Sequence, residues 1–484
     1  MVSRGVTGSV LITAAGYVYE RLPRQTWMDH LPVLWRLRSS AHPFLWGVAL
    51  GLVGLVVLTS AWWDLRREAR ALPDGLARVR LAAAAWAAPM LLGPPLFSGD
   101  GWSYVATGDL AGHGLSPYSW TPAVLPTPLR SGVAPHWLFT PSPYGPLSLA
   151  WGGAFSHVTH DPWALLGWYR LLAVLSLVLL AWAVPVVARR AGHDPVDASV
   201  LVVASPFVLA HGIGGLHNDL TMVALVMAAL AVTRPGAWIA GAALVGVAAA
   251  VKAPGLVAAV GVVLVSVGPE AGLLARLRRS AQVAAVCVGV LLLAGWVTGL
   301  GTGWIGALMV PGREHTWLAI TWVLGRWVRT TLMHAGPSGV AAVHELHPAI
   351  LAKRVGLVLL FVTAAAALVG RRLRSTAGAY TSAAFVMLAA VVLSPAGHYW
   401  YFLWCVPLLA CVRLPRPAYV ALVAEIVTLG LTAPADAALH QDWLMEWSAL
   451  AVLLVPILAA LGAGMLGRQH RPRKVLSGSS EEAA

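Results

Sequence analysis

The 484-residue sequence has few charged residues, only three cysteines and a single asparagine. Charged side chains make up 11% of the chain, whereas soluble globular proteins carry roughly 25%. This shortage of charge excludes a soluble enzyme, and three cysteines in or beside apolar runs exclude a disulfide-stapled secreted domain. Apolar residues make up 58% of the chain, and the mean hydropathy of the chain is +0.73. The composition therefore predicts a protein embedded in a membrane.

Apolar stretches separated by short arginine-containing segments recur along the whole chain. Counting the stretches that approach the ~20 residues needed to span a bilayer predicts an all-α bundle with about 13 or 14 transmembrane helices. The stretch at residues 5–19 is short for a full crossing. We expect a single membrane domain at residues 1–470, followed by a short cytoplasmic tail at residues 471–484.

The basic residues identify the two sides of the predicted bundle. When alternate loops are taken as cytoplasmic, the inner side holds 21 of the 33 basic residues but only 8 of the 20 acidic ones. The formal charge of +13 is then positive-inside bias and implies no nucleic acid. The same assignment puts two large loops outside, at about residues 98–162 and 301–353, each with an interfacial helix. We therefore expect a multi-pass plasma-membrane protein whose chemistry lies on the outer side.

The first outer loop opens with a carboxylate at the predicted membrane surface, in the stretch FSGDGWSYVATGDLAGHGLSPY. Asp100 is the candidate general base, because a carboxylate at the lipid–water boundary can accept a proton from a hydroxyl that arrives from the water. The alternative is that Asp100 caps a short surface helix that begins at Gly101 or Trp102.

Other polar side chains of this loop are candidates for binding a substrate. They are Tyr104, Asp109, His113 and Tyr144. The tryptophans of the loop, Trp137 among them, are expected at headgroup level in an aromatic belt.

A second group of polar residues interrupts an apolar region in the stretch SPFVLAHGIGGLHNDLTM. His217, Asn218 and Asp219 follow an irregular glycine turn and precede a helix, and Asn218 is the one asparagine of the chain. We predict that all three bind substrate. The alternative is that Asn218 or Asp219 caps the following helix.

Two cations are candidates for binding the phosphate of a donor. Lys252 lies at a predicted helix break in AAAVKAPGL, and Arg313 follows a Pro-Gly pair in PGREHTW. A cation facing a polar cavity suits a phosphate, although Lys252 would also fit a side chain that snorkels to the interface. His315, close to Arg313, is a further candidate for binding substrate.

The last outer segment contains His398 and Tyr401 in SPAGHYWYFLW, where a histidine and aromatic rings suit a sugar. Glu425 is the lone acid deep in an apolar stretch, which makes it a functional candidate without an evident partner. The sequence contains no histidine spacing typical of a metal site, no Walker loop and no acidic D-x-D pattern. We therefore expect neither a metal nor a cofactor.

Several of these motifs occur together in a known family. In their order along the chain, FSGDGWSYVATG, GLSPY, PSPYGPL, SPFVLAHGIGGLHND, AVKAPGL and SPAGHYWY resemble the polyprenyl-phosphomannose-dependent alpha-1,6-mannopyranosyltransferases of actinobacteria. The resemblance implies a GT-C architecture whose first large outer loop carries the catalytic aspartate, which corresponds to Asp100. It also implies transfer of mannose from a polyprenyl-phosphate donor to a mannan or lipoglycan acceptor, with inversion to an alpha-1,6 linkage.

The residues fit such a reaction. The leaving phosphate gains negative charge during transfer, so it needs cations such as Lys252 and Arg313 rather than a proton donor. The acceptor hydroxyl needs a base, for which Asp100 is the candidate. A transporter or lipid-linked sugar flippase and a non-catalytic scaffold remain as alternatives. A transporter should show internal repeats and ionisable residues near the midplane, and Glu425 is the one such residue.

Overall fold

The computed structural model describes residues 1–268, 270–370, 375–437 and 442–469. Within these ranges the chain is helical, and the one extended pairing is an isolated bridge between Arg234 and Ala237. The predicted all-α fold is confirmed. The predicted tail at residues 471–484 and the arginine cluster at residues 371–374 lie outside the described residues.

The described residues form α-helices that vary from single turns to a helix of 29 residues. The first thirteen are α1 (Val2–Tyr19), α2 (Pro32–Arg38), α3 (Pro43–Glu68), α4 (Gly75–Leu91), α5 (Asp100–Gly112), α6 (Thr127–Gly132), α7 (Pro135–Leu138), α8 (Pro146–Ser156), α9 (Pro162–Arg190), α10 (Pro195–Val202), α11 (Asp219–Val232), α12 (Ile239–Val251) and α13 (Ala259–Val267). The others are α14 (Leu273–Val297), α15 (Gly303–Ala307), α16 (Ile320–His334), α17 (Pro337–Leu346), α18 (Pro348–Val369), α19 (Thr376–Val392), α20 (Val406–Ala410), α21 (Arg416–Leu431), α22 (Ala433–Ala437) and α23 (Asp442–Gln469). A π-helix (Val208–Gly214) precedes α11, and 3-10 helices include Ala253–Ala258, Pro311–Arg313 and Tyr399–Trp404.

Length and apolar composition identify the helices that can cross a membrane. Among the described residues five qualify, and they contain α3, α9, α14, α18 and α23. The π-helix and α11 together would make a sixth span, but they are bent against each other by 113°. Many helices of the bundle are therefore shorter than a full crossing, and the number of 13 or 14 spans stays a prediction.

Proline and short polar side chains set many of the helix starts. Proline occupies the first turn of α3, α8, α9, α10 and α18, where its missing N–H costs no hydrogen bond. Asp161 caps α9 by accepting the N–H of Ala164 at 2.8 Å, and Asp194 caps α10 in the same way. These caps fix where the long helices leave their loops.

The centre of the bundle and its periphery differ in burial. Nearly every residue of α10, the π-helix and α11 is buried, so these short elements form the core. In contrast, only 11% of the apolar window of α18 is buried, and its exposed leucines and valines face outward. The peripheral helices thus present apolar side chains to the surroundings, as expected in lipid.

Segments predicted to lie on the cytoplasmic side come together in the structure. Asp197, at the start of α10, accepts hydrogen bonds from Arg70, beyond α3, and from Tyr419, at the start of α21. His193 contacts the same carboxylate at 3.0 Å. Four residues assigned to one side by the charge pattern thus share one polar cluster.

The helix that begins with Asp100 packs unusually closely against α8. Gly108 of α5 faces Gly152 of α8, and a Cβ atom added to Gly152 would meet the Gly108 Cα at 2.7 Å and the Tyr169 hydroxyl at 2.3 Å. The absence of side chains at both positions lets the two backbones approach. This packing fixes the position of α5, the helix whose first residue is Asp100.

We predict that Gly152→Ala destabilises the protein by about 1–3 kcal/mol, because the added methyl group overpacks the contact between α5 and α8. Gly167→Ala in α9 is the matched control, since no atom lies within 4 Å of its added Cβ. Thermal unfolding in detergent should show a lower melting temperature for Gly152→Ala alone. Equal melting temperatures for the two variants would contradict the close packing.

Candidate active site

Two segments of irregular backbone meet inside the protein, one that follows α4 and one that runs from the end of the π-helix to α11. The guanidinium of Arg170, buried in α9, donates hydrogen bonds to carbonyl oxygens of both. The four acceptors are the carbonyl groups of Gly93, Pro94, Ile213 and Gly214. The guanidinium thus donates hydrogen bonds to backbone carbonyl groups that have no partner within a helix. In a membrane interior such groups need a partner inside the protein.

Each of these stretches turns through a left-handed residue that is not glycine. Phe97 has a φ of +63° and Leu216 a φ of +60°, conformations that are costly for large side chains. Phe97 stands three positions before Asp100, and Leu216 stands three positions before Asp219. The carboxylate of Glu20 accepts the Phe97 N–H and stabilises the first turn. The strain is therefore concentrated directly before the two aspartates.

The Asp100 carboxylate is buried at the first turn of α5 and accepts hydrogen bonds from neutral groups. The Trp137 indole donates to Oδ1 at 2.8 Å, and the Tyr104 hydroxyl donates to Oδ2 at 3.1 Å. The Tyr144 hydroxyl lies 3.5 Å from Oδ2. Gly99, and not Asp100, occupies the cap position of α5, and the Asp100 carboxylate accepts from side chains rather than from backbone N–H groups, so the capping alternative is wrong.

Burial alone would raise the pKa of Asp100, but the side chains around the carboxylate lower it by more. The His217 imidazole, with Nδ1 3.6 Å from Oδ2, and the Lys252 ammonium hold the pKa of Asp100 below the usual value of an aspartate. The carboxylate is consequently ionised at neutral pH, which is the form that a general base needs.

Aromatic rings form a stack beside this carboxylate. The Trp400 ring lies between two imidazoles, with its centroid 3.9 Å from that of His217 and 4.4 Å from that of His398. Burial, together with the positive charge of Lys252, lowers the pKa of His398 to about 4, although Asp100 opposes the shift. His398 is therefore neutral at pH 7.

Lys252 and Asp219 form a buried ion pair. The ammonium donates to both carboxylate oxygens, at 2.9 and 2.7 Å, and it lies 5.0 Å from the centre of the Tyr401 ring. Trp404 donates its indole N–H to the same carboxylate. The lysine is 8% exposed and does not reach the surface, so the snorkelling alternative is wrong.

The capping alternative is also wrong for Asn218. It occupies the position before α11, but its side chain makes no cap hydrogen bond. Nδ2 lies 3.4 Å from the Ser148 hydroxyl, and the buried Oδ1 has no hydrogen-bond partner among the described residues. Asn218 lines neither of the two cavities that border Asp100, so its binding of substrate stays a prediction.

The structure does not bring all the predicted residues to Asp100. Asp109 and His113 lie at the opposite end of α5, about 13 and 20 Å away along the helix axis. Arg313 is exposed in a 3-10 helix. Glu425 is buried, and neither of its carboxylate oxygens has a hydrogen-bond partner among the described residues.

Two tryptophans that contact the site, Trp137 and Trp404, were not predicted to do so, whereas Trp400 belongs to the aromatic rings of HYWY that were expected to suit a sugar. Trp137 and Trp404 donate hydrogen bonds to Asp100 and Asp219, and Trp400 stacks on the histidines. The belt interpretation of Trp137 is wrong, because this side chain is buried against a carboxylate. Its position in HWLFTPSPYGPL, shortly before Tyr144, was the available signal.

A cavity of about 780 Å³ opens on one side of Asp100. Charged and polar groups line part of it, including Glu20, Arg38 and His315. Its wall also includes Trp137 and Trp400. This cavity has the size and polarity to hold several sugar rings.

A second cavity, of about 210 Å³, is also lined by Asp100. Tyr144 and Lys252 line its inner end, and Leu357 and Leu360 of the peripheral helix α18 line its outer end. Asp100, Trp137, His398 and Trp400 belong to the walls of both cavities, as does Glu314. The carboxylate therefore lies where a polar cavity and a more apolar one meet.

A family model described as alpha-(1→6)-mannopyranosyltransferase, N-terminal domain, matches residues 2–268. The matched region is more than half of the chain and contains Asp100, His217, Asp219 and Lys252. The chain belongs to this family. The resemblance found in the sequence motifs is thereby confirmed.

Characterised relatives extend the similarity beyond the matched region. Alpha-(1→6)-mannopyranosyltransferase A of Mycobacterium tuberculosis is 31% identical, and the alignment covers 93% of this chain and 87% of the relative. Alpha-(1→6)-mannopyranosyltransferase B of Corynebacterium glutamicum is 26% identical over 85% of this chain and 71% of the relative. The A enzyme of the same organism is 32% identical over 46% of this chain and 47% of the relative.

We predict that Lys252→Met destabilises this family member by about 3–5 kcal/mol, because Asp219 would remain buried without its cation. The double variant Lys252→Met/Asp219→Asn should recover part of the loss, since it removes both charges. Lys353→Met is the control, because Lys353 binds the carbonyl groups of Gly312 and Glu314 rather than a carboxylate. A melting temperature for the double variant at or below that of Lys252→Met would contradict the pairing.

Proposed function

We propose that this chain transfers mannose from polyprenyl-phosphate-mannose to a mannan or lipoglycan acceptor, with inversion and an alpha-1,6 linkage in the product. The observation that carries the proposal is the position of Asp100 at the junction of the two cavities. A transferase must bring two different substrates to one base. Family membership supports mannose as the transferred sugar.

Asp100 is the proposed general base. Its ionised carboxylate is oriented by Trp137 and Tyr104, which donate hydrogen bonds without removing its charge. An acceptor hydroxyl in the larger cavity would give its proton to this carboxylate as it attacks the anomeric carbon. Attack from the side opposite the leaving phosphate accounts for the inversion.

Lys252 is the proposed contact for the donor phosphate. Two of its three N–H groups are directed at Asp219, which leaves one for an anion in the smaller cavity. A contact that strengthens as the phosphate gains charge lowers the barrier to transfer. Arg313 is less well placed, since it is exposed and neither cavity includes it.

The smaller cavity suits a lipid-linked donor. Its outer end is formed by α18, whose apolar side chains are largely exposed along the helix. A prenyl chain could pass from this end into the bilayer while the phosphate stays beside Lys252, so no charge need enter the hydrocarbon. This route supports a donor anchored in the membrane rather than a soluble sugar nucleotide.

The proposal is tested with purified protein in detergent, a short alpha-1,6-linked mannoside acceptor and one of two labelled donors. We expect transfer from polyprenyl-phosphate-mannose, no transfer from GDP-mannose, and an alpha-1,6 linkage in the product by NMR. Transfer from GDP-mannose would contradict the lipid donor. Movement of the lipid donor across proteoliposomes without transfer would favour the flippase alternative.

Asp100→Asn should lower the rate of transfer by about 10²–10⁴-fold, because the amide keeps the size of the carboxylate but cannot act as a base. Glu345→Gln is the control, since Glu345 is an exposed outer-loop carboxylate. Both variants should melt like the unmodified protein. Near-normal turnover by Asp100→Asn would reject Asp100 as the base.

We propose that this site faces outward from the plasma membrane, as the positive-inside pattern indicates. A cysteine at Val158, which is 75% exposed, should react with an impermeant thiol reagent on intact cells, whereas a cysteine at the exposed Asp74 should react only after permeabilisation. The native Cys287, Cys405 and Cys411 are buried and should give little background. Labelling in the opposite order would invert the proposed orientation.

A further inference from the structure

The end of α5 that is remote from Asp100 carries a compact group of nitrogen and oxygen atoms. Asp109 and His113 lie one turn apart on α5, and His160 reaches them from the connection between α8 and α9. His160 Nδ1 is 2.8 Å from Asp109 Oδ1, and His113 Nδ1 is 3.5 Å from Oδ2. One ligand atom from each residue lies within 4.8 Å of the other two.

These distances are close to those of a metal site. A zinc ion binds imidazole nitrogen and carboxylate oxygen at about 2.0–2.2 Å, so two tetrahedral ligands stand about 3.3 Å apart. The observed separations of 2.8 and 3.5 Å lie on either side of this value. The two distances are measured to different oxygens of Asp109, and one ligand atom from each residue lies within 4.8 Å of the others, so rotation of the exposed histidine side chains would bring the three atoms into coordination.

The electrostatic arrangement also fits a cation that the two rings share. The imidazoles of His113 and His160 are stacked, with centroids 4.5 Å apart and planes 29° from parallel. A metal ion requires both rings to be neutral and supplies the positive charge itself.

A metal site at the protein surface needs a ligand that is held in place and ligands that solvent can reach. The three side chains meet both needs. The Asp109 side chain is almost fully buried and is therefore held in place, whereas the side chains of His113 and His160 are 41% and 60% exposed. His113 Nδ1 lies 2.9 Å from the Asp109 carbonyl oxygen. A metal would take over this nitrogen, and solvent could reach its remaining coordination position.

We propose that Asp109, His113 and His160 bind one divalent ion of the zinc type. The ion would tie the end of α5 to the α8–α9 connection and so fix the helix whose first residue is Asp100. It is a positional site, about 13 Å along α5 from Asp100, and takes no part in the transfer step. It does not depend on the proposed function, and it gives Asp109 and His113 a role other than the predicted binding of substrate.

The test uses the full-length protein, purified without a histidine tag and stripped with EDTA, and Zn²⁺ alone as the probe. We expect one zinc ion per chain by elemental analysis after removal of free metal, and a melting temperature that rises with added Zn²⁺. His160→Ala should lose the ion and the zinc-dependent rise while melting like the parent protein in EDTA.

His157→Ala is the matched control, because His157 is an exposed histidine of the same connection but lies outside the cluster. It should retain the ion and the rise in melting temperature. If His160→Ala does not fold, His113→Ala provides the same comparison from α5. Equal zinc content in the parent protein and the folded cluster variant, or no zinc bound by the parent protein, would overturn the proposal.

Discussion

A single buried guanidinium connects the two parts of the candidate site. Arg170 binds carbonyl groups of the segment that leads to Asp100 and of the segment that leads to Asp219. Short helices that end inside a membrane protein leave backbone groups without partners, and each such group is costly in an apolar interior. One side chain with five N–H donors resolves this for both segments. The relative position of the two aspartates therefore depends on Arg170.

The two aspartates then acquire different properties from their surroundings. Asp219 is paired with Lys252 through both oxygens and is completely buried, so its charge is neutralised locally. Asp100 accepts hydrogen bonds from neutral Trp137 and Tyr104 and borders both cavities, so its charge remains available to a ligand. The ion pair therefore neutralises one carboxylate, and the other remains charged at the junction of the two cavities.

The alternatives weighed for individual residues were decided by contacts rather than by residue type. Asp100 and Asn218 both stand at helix starts, where capping is common, yet Asp100 accepts hydrogen bonds from other side chains and Asn218 makes no cap hydrogen bond. Tryptophan is typical of aromatic belts, but the Trp137 indole donates a hydrogen bond to the Asp100 carboxylate. The positional preference of a residue type is an average over many proteins. It predicts poorly where the backbone is strained and irregular, as it is next to these residues.

The sequence by itself determined the all-α membrane fold, the family and Asp100 as the candidate base. Apolar stretches and arginine bias are properties of short segments, and the motifs keep their order along the chain. Only the tertiary structure decided which side chains meet. Trp137, His217, Lys252 and His398 come from four separate segments, and their approach depends on irregular turns that no periodicity encodes. The same limit applies to His160, which lies far from Asp109 and His113 in the sequence although the fold places the three side chains together.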